Sequence, residues 1–217
     1  MNIIYTGFEN RYLNDLIRFH RVSFKDHFNS KLGNLYVRKF ISWFSTNDDF
    51  NNIFICALDK ESGRTIGYIC GARDGYATKM NKDLLPTILL SFLLKPWLIF
   101  DKRFFGLVRP KLYSLIGRKE YPKFQEFEKE LPQPIFSVTS FALNEKFREA
   151  GFGIFLLENL FKEFLERVQA ENVGTVRATI RSFNKEIFKY YKMKNWIVAP
   201  FTEKDETICF YKPLIKH

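Results

Sequence analysis

The chain has 217 residues, of which 46% are hydrophobic and 27% charged, and its formal net charge is +10. This composition is typical of a globular protein with one sizeable core, and its aromatic content of 18% argues against a disordered chain. No run reaches the roughly 18 to 20 apolar residues that a membrane-spanning helix needs, and we see no secretory signal at the N-terminus.

The positive charge indicates an anionic partner, such as a nucleic acid, an anionic membrane face or a phosphorylated ligand. It is concentrated between Lys79 and Lys123, where there are ten Lys and Arg residues and three acidic residues. The three cysteines, Cys56, Cys70 and Cys209, lie in apolar runs without metal-binding spacing. We therefore expect buried thiols, a cytoplasmic protein and no metal site.

The N-terminal part predicts helices and strands in a simple order. A short strand over residues 2–6 is followed by amphipathic helices over 9–24 and 35–44, with a loop between them. Two apolar runs, 53–58 and 65–72, flank a turn sequence and predict a β-hairpin.

Residues 75–131 form a long basic segment with helical character. It is interrupted by four prolines, which we expect to break the helices: Pro86, Pro96, Pro110 and Pro122. The segment would be an insert in one of three roles. It could pack on the sheet as a helical hairpin, cover the acceptor site as a cationic lid, or touch an anionic membrane or a lipid-linked acceptor.

The C-terminal part predicts alternating strands and helices. A buried strand over 135–143 precedes a helix that begins near Gly153 and ends near Asn172. The remaining elements are a strand over 176–180, a helix over 184–192, and strands over 196–198 and 207–211. No linker separates two cores, so we expect one α/β domain over residues 1–217.

The sequence FREAGFG lies between the strand at 135–143 and the next helix. Its glycines and the start of a helix would let several backbone N–H groups converge on a phosphate. A glycine turn that only leads into the helix is the alternative. A P-loop would need a Lys-Ser/Thr pair here, and a dinucleotide fingerprint would need a third glycine near the first strand.

At this loop the sequence resembles the GNAT superfamily of acyl-CoA N-acyltransferases, whose loop reads Q/R-x-x-G-x-G/A. The matching residues are Arg148, Glu149, Ala150, Gly151, Phe152 and Gly153. Downstream, NKEIFKYYKMKNW supplies the family's spaced Asn and Tyr as Asn184 and Tyr191. Asn195 stands where the family has Gly before an aromatic residue, and Asn also tolerates a positive φ. The segment HRVSFKDHFNSKLGNLYVRKF resembles a bacterial subgroup with a basic helical insert, often associated with surface-polysaccharide biosynthesis.

The resemblance implies a mostly antiparallel mixed sheet flanked by helices, with the insert between strands three and four. It implies acetyl-CoA as co-substrate and direct attack of a primary amine on the thioester. The splayed strand would offer the backbone of Phe141, Ala142 and Leu143 to pantetheine, and the amides of residues 148–153 would hold the pyrophosphate. Asn184 would contact the pantetheine arm, and Tyr191 would protonate the leaving thiolate as general acid.

The base that deprotonates the amine is open at this point. Ser137, Thr139 and Ser140 lie on the relevant strand, and none is a strong base. His20 and His27 would lie near the acceptor side if the first helices pack as in the family, and histidine titrates in a useful range. Either histidine could instead be structural, and Tyr191 could be a core aromatic.

The leading interpretation is an N-acetyltransferase that acts on a small-molecule amine, with an amino sugar or nucleotide-linked amino sugar as the suggested acceptor. Acetylation of a protein amine is a second interpretation, and binding of acyl-CoA without turnover is a third. A nucleic-acid-binding module is a fourth, less favoured one, because it needs aromatic residues interleaved with the cations on one face. The oligomeric state is not predicted.

Overall fold

The apolar runs of the sequence assemble into a seven-stranded sheet in the order β1-β2-β3-β4-β5-β7-β6. We describe it from a computed structural model that covers residues 2–25, 27–46, 50–100, 122–147, 152–182, 184–202 and 207–214. All neighbouring strands are antiparallel except β4 and β5. The strands are β1 (Ile3–Thr6), β2 (Ile53–Asp59), β3 (Thr65–Arg73), β4 (Ile135–Leu143), β5 (Thr175–Arg181), β6 (Ile197–Thr202) and β7 (Thr207–Pro213).

Helices fill the connections between the strands. They are α1 (Leu13–Ser23), α2 (Phe28–Lys31), α3 (Asn34–Thr46), α4 (Tyr76–Leu94), α5 (Pro122–Lys129), α6 (Glu145–Phe147), α7 (Gly153–Ala170) and α8 (Lys185–Met193). Short 3₁₀ turns, Asn10–Tyr12 and Pro96–Phe100, precede α1 and follow α4.

The sheet is buried on both faces, which explains the continuous apolar runs of β2 and β3. On one face α1, α3 and α4 pack over side chains such as Cys56 and Tyr68. On the other face α7 and α8 pack over the alternate side chains, among them Ile55 and Phe136. The three cysteines are buried and form no disulfide, as their apolar context predicted.

Most predicted elements are present within a few residues of their expected ends, and the α/β fold with its mostly antiparallel sheet is confirmed. Asn195 has a φ of 56°, so it takes the left-handed conformation expected of a residue that replaces glycine. Two short helices, α2 and α6, were not predicted, because four and three residues are too few to show a helical period.

The prediction that Pro86 breaks the helix was wrong. Pro86 lies inside α4, where a proline costs about 3 kcal/mol. Buried residues on both sides of it, Leu84 and Ile88, belong to the hydrophobic core, and their burial offsets that cost. Pro96 does follow the end of α4, and Pro122 is the first residue of α5, where the missing N–H is harmless. Pro110 lies outside the described residues.

The insert between β3 and β4 is described at its two ends, by α4 with the turn after it and by α5. Around the end of α4, Leu93, Trp97 and Phe100 expose more than half of their side-chain surface. Within the described ranges, no helix has both the length and the apolar character required to span a bilayer.

The feature that shapes the molecule is a fork between β4 and β5. These strands pair in parallel only from Ile135 opposite Thr175 to Val138 opposite Ala178. Beyond that point β4 continues along β3 to Leu143, while β5 continues along β7 to Arg181. The two strands therefore diverge in the middle of the sheet, as the resemblance implied, and the gap leaves backbone groups without a neighbouring strand.

A β-bulge marks the start of the fork. Along β3, Cys70 pairs with Ser140 and Gly71 pairs with Val138, so Thr139 has no partner of its own on β3. An extra residue of this kind bends a strand and increases its twist, which turns β4 away from β5. The bulge also brings β4 so close to Gly71 that a side chain there has no room. A Cβ on Gly71 would lie 2.8 Å from Phe136 Cε1 and 2.9 Å from Phe164 Cζ, and it would overlap the Ser137 carbonyl oxygen.

We expect Gly71→Ala to lower the free energy of unfolding by about 1–3 kcal/mol, because the added methyl group overpacks the strand junction. Urea denaturation followed by circular dichroism measures this. Gly7→Ala is the matched control, since a Cβ on Gly7 has no atom within 4 Å. Equal stability of Gly71→Ala and Gly7→Ala would contradict the close approach at the bulge.

Candidate functional site

The gap between β4 and β5 opens into a cleft of about 520 Å³. Its walls come from β4, β5, the α1–α2 segment, α4, α7 and α8. The polar residues that line it are His20, Ser23, His27, Asn29, Tyr76, Thr139, Ser140, Thr179, Arg181, Asn184, Tyr190, Tyr191 and Thr207. The structure thus brings both histidine candidates, Asn184 and Tyr191 to one cavity.

The wall formed by β4 carries the three residues predicted to offer their backbone. Phe141, Ala142 and Leu143 pair with β3 and lie beyond the last residue pair with β5. In an antiparallel pair, alternate residues turn both N–H and C=O away from the partner, so part of this backbone faces the gap. Ala142 and Leu143 are buried, while Phe141 lines the cleft and contacts Phe161 with ring centroids 5.9 Å apart.

Asn184 has a structural task at the edge of the cleft. It is the N-cap of α8, and its Oδ1 accepts a hydrogen bond of 3.4 Å from the backbone N–H of Ile187. This leaves the side-chain amide nitrogen as the group that Asn184 can offer to a ligand. The predicted contact with pantetheine stays a prediction.

Two adjacent tyrosines of α8 line the cleft. Tyr191 is buried and packs against Trp196 and Phe210, with ring centroids at 4.7 and 5.0 Å. Tyr190 is only partly buried. Burial raises the pKa of the Tyr191 hydroxyl above its ordinary value, with a contribution from Tyr190, so this hydroxyl stays protonated at neutral pH. It makes no hydrogen bond within the described part of the chain.

His20 belongs to a buried hydrogen-bond chain that ends at β4. His20 Nδ1 lies 2.6 Å from the Tyr68 hydroxyl, which lies 2.8 Å from Ser140 Oγ. Burial lowers the pKa of His20 to about 3, and the nearby His27 contributes. His20 is therefore neutral at physiological pH and is a poor base. Its partner Tyr68 is 48 residues away in sequence, so no local pattern indicated this chain.

His27 precedes α2 and is partly buried at the edge of the cleft. Its ring contacts Phe24 edge-on, with centroids 5.1 Å apart. Its exposure distinguishes it from His20, which is almost completely enclosed by α1, α3 and β3.

The loop predicted to hold a pyrophosphate is described only at its end. Arg148, Glu149, Ala150 and Gly151 lie outside the described residues. Phe152 is half exposed, and Gly153 is the first residue of α7, so the helix begins where the glycine pattern predicted. The described residues contain no group of His, Cys, Asp and Glu that could hold a metal ion.

A partly buried ion cluster lies at the closed end of the fork. Arg177 on β5 donates hydrogen bonds of 2.6 Å to Glu128 of α5 and to Asp74 after β3, and it also contacts Ser137 Oγ at 2.8 Å. The Tyr211 hydroxyl donates to the same Glu128 carboxylate at 2.7 Å. Burial opposes the charge on Arg177, but Asp74 and Glu128 outweigh it, so the Arg177 pKa is raised. Sequence reasoning missed this cluster, because its hydrogen-bonded partners are 40 to 103 residues apart in sequence.

A second cavity, the basic groove, lies beside the cleft and was also missed. It has a volume of about 890 Å³ and is formed by α1, α2, α3 and Glu145 of α6. Five cations line it: Arg18, Arg21, Lys25, Lys31 and Arg38. Ser23 lines both the groove and the cleft, so the two cavities adjoin.

Comparison with known proteins rests on the fold. No model of a known protein family matches the sequence, and no curated protein matches it. Solved structures do match over nearly the full length of both chains. SsHAT is 11% identical, with a TM-score of 0.62 and 100% coverage of both chains. Arabidopsis thaliana NAA60 in complex with acetyl-CoA is 12% identical, with a TM-score of 0.57 and coverage of 98% of this chain and 99% of that chain. A GNAT-family acetyltransferase from Staphylococcus aureus is 11% identical, with a TM-score of 0.56 and coverage of 99% and 100%. The chain therefore has the fold of GNAT acetyltransferases.

The environment of His20 makes stability depend on pH. The pKa of His20 is lowered from 6.5 to about 3 on folding, so below pH 6.5 the unfolded state binds a proton that the folded state does not. Its contribution to stability is complete above pH 6.5 and is lost as pH falls toward 3, by about 1.4 kcal/mol per pH unit.

We therefore expect the free energy of unfolding of His20→Gln to fall less steeply than that of the unmodified protein between pH 6 and pH 4. Urea titrations at several pH values measure both slopes. Parallel pH profiles for the two proteins would show that His20 is not held neutral by burial.

Proposed function

We propose that the protein is an N-acetyltransferase that transfers the acetyl group of acetyl-CoA to a primary amine by direct attack. The observation that carries this proposal is the fork: a sheet of GNAT topology opens between β4 and β5 into a cleft lined by titratable side chains. A protein with the same fold has been solved with acetyl-CoA. Three buried thiols and the use of acetyl-CoA support a cytoplasmic location.

The donor would bind along β4, in the gap that β5 leaves. The backbone of Phe141, Ala142 and Leu143 would pair with the amides of the pantetheine arm, and Asn184 would contact the same arm from α8. The amides of residues 148–153 would hold the pyrophosphate at the start of α7. A backbone N–H of β4 near the thioester oxygen would stabilise the developing negative charge.

Tyr191 would act as general acid toward the leaving thiolate. The raised pKa keeps its hydroxyl protonated, and the hydroxyl has no hydrogen-bond partner within the described residues. Tyr190 is the competing candidate, because it lines the same cleft and is more exposed. Burial and Glu158 raise the pKa of Tyr190 to about 12.

The amine must lose a proton before or during its attack. Of the two histidine candidates, we assign the proton acceptor role to His27, because His20 is too weak a base at its buried position. His20, Tyr68 and Ser140 form a hydrogen-bonded chain that would orient Ser140 beside the reacting amine. Nothing in this scheme needs a metal ion.

A small-molecule acceptor, such as an amino sugar, is our preferred substrate class, and the likeness to the polysaccharide-associated subgroup is its sequence support. A protein amine is the alternative, because the described cleft does not exclude a peptide chain. We also retain the proposal that the end of α4 touches an anionic membrane or a lipid-linked acceptor. The exposed Leu93, Trp97 and Phe100 and the cation excess of the insert support it.

We expect Thr179→Trp to weaken acetyl-CoA binding at least tenfold, because the indole would fill the gap beside β4. Thr179 lies on β5 just past its last residue pair with β4 and lines the cleft. Isothermal titration calorimetry with acetyl-CoA measures the affinity. Thr46→Trp is the control with the same change on the exposed end of α3.

Unchanged affinity of a folded Thr179→Trp protein would place the donor elsewhere. If the unmodified protein fails to bind acetyl-CoA at all, the acetyltransferase proposal is wrong. Tighter binding of an oligonucleotide than of acetyl-CoA would then favour a nucleic-acid-binding function.

We expect Tyr191→Phe to lower kcat by about 100-fold with little change in acetyl-CoA affinity, because it removes only the proton donor. Thiol release with the best amine from a substrate screen measures the rate. Tyr190→Phe removes the adjacent hydroxyl and serves as the comparison. A large loss in Tyr190→Phe with normal turnover of Tyr191→Phe would transfer the acid role to Tyr190.

A further inference from the structure

The basic groove carries a charge pattern that the acetyl-transfer scheme does not use. Arg18, Arg21 and Lys25 follow one another at intervals of three and four residues along α1 and its end, so they lie on one helical face. Lys31 and Arg38 approach from α2 and α3. Among the described lining residues, these five cations are opposed by one carboxylate, that of Glu145.

Two of the guanidinium groups are oriented without being neutralised. Arg21 Nη1 donates to Asn34 Oδ1 at 2.7 Å, and Arg38 Nη2 donates to Asn14 Oδ1 at 3.0 Å. Within the described residues neither arginine has a carboxylate partner. Arg18 differs, since it pairs with Asp15 at 3.3 Å. The neutral side-chain amides hold the two guanidinium groups in place and leave their positive charge available to an anion.

Ser30 provides an independent sign of a missing ligand. It lines the groove, only 4% of its surface is exposed, and its Oγ has no hydrogen-bond partner. Buried hydroxyl groups are almost always hydrogen-bonded. The unpaired Ser30 hydroxyl at the wall of a cationic cavity therefore indicates a ligand group that the chain itself does not supply.

The lining also indicates the kind of anion. The aromatic residues that stack nucleic-acid bases are absent from the described lining, which otherwise contains Asn14, Ile17, Val22, Ser23 and Asn34. The groove is therefore unsuited to a single-stranded nucleic acid. Arginine forks match the oxygens of a phosphate in a bidentate arrangement, and the volume admits a small phosphorylated molecule.

We propose that the basic groove binds the phosphate of the acceptor, so that the substrate is a phosphorylated amine. Ser23 borders both cavities, so a molecule anchored by its phosphate in the groove can extend its amine past the end of α1 into the cleft. The identification of the phosphorylated molecule as the acceptor rests on the proposed acetyl transfer. The phosphate site itself does not depend on it.

The test uses inorganic pyrophosphate as probe, with calorimetry on the full chain at low and physiological salt. We expect binding that weakens with salt and that falls at least tenfold in the double variant Arg21→Gln/Arg38→Gln. Arg64→Gln/Arg167→Gln is the matched control, because it also removes two positive charges, from positions that do not line the groove. No binding of pyrophosphate, or equal binding by both variants, would overturn the site.

Two further measurements decide what the phosphate belongs to. Acetyl-CoA affinity should be unchanged in the double variant. A parallel loss of this affinity would mean that the groove holds the phosphates of the donor, and the acceptor proposal would be wrong.

Phosphoethanolamine should bind more tightly than ethanolamine to the unmodified protein, and this preference should disappear in the double variant. Equal binding of the two amines would leave a site for free phosphate and would contradict the acceptor role. If pyrophosphate binds as expected while acetyl-CoA does not bind at all, the acetyltransferase proposal fails and the phosphate site stands.

Discussion

The ion cluster around Arg177 holds the two halves of the sheet together at the point where they begin to separate. β1 to β4 form an antiparallel sheet on one side of the fork, and β5, β7 and β6 form another on the other side. Direct strand pairing between them covers only Ile135 to Val138 on β4. Arg177 adds hydrogen bonds to Ser137 on β4, to Asp74 after β3 and to Glu128 of the insert. Loss of the Arg177 side chain would therefore remove all of these contacts at once.

This arrangement separates the paired half of β4 from the half that lies at the proposed binding site. The first half of β4 is paired on both sides and lies against the ion cluster, while its second half is paired on one side only. The bulge at Thr139 divides the two halves, and Gly71 makes it possible by letting the strands approach. The hydroxyl of Ser140, the first residue after the bulge, joins the chain through Tyr68 to His20. A structural irregularity of one residue thus positions both the gap and the polar groups beside it.

Much of the fold follows from local patterns in the sequence. The helical stripe of α7, the buried run of β4 and the hairpin of β2 and β3 were predicted because their periodicity lies within one segment. The helix α2 was missed because its four residues are too few to show a helical period. The helix through Pro86 was misjudged because packing in the core outweighs local propensity there. For the candidate site, the sequence indicated residues that line the cleft, such as Asn184 and Tyr191, but not the environment of each side chain. The low basicity of His20 depends on burial by elements that are distant in sequence. The basic groove had a local signal, the spacing of Arg18, Arg21 and Lys25, which the larger charge of the insert obscured.

The short stretch of direct pairing between β4 and β5 also has a mechanical consequence. When a rigid body turns about a pivot, displacement grows with distance from the pivot. If the strands on one side of the fork rotate by a few degrees about Ser137 and Arg177, the paired residues of β4 and β5 hardly move. The far end of β5 shifts much more relative to β4. Substitutions at the pivot can consequently widen or narrow the mouth of the cleft without altering any side chain that lines it. If the cleft binds its ligand as proposed, residues that the ligand never touches would help to set the thickness that it accepts.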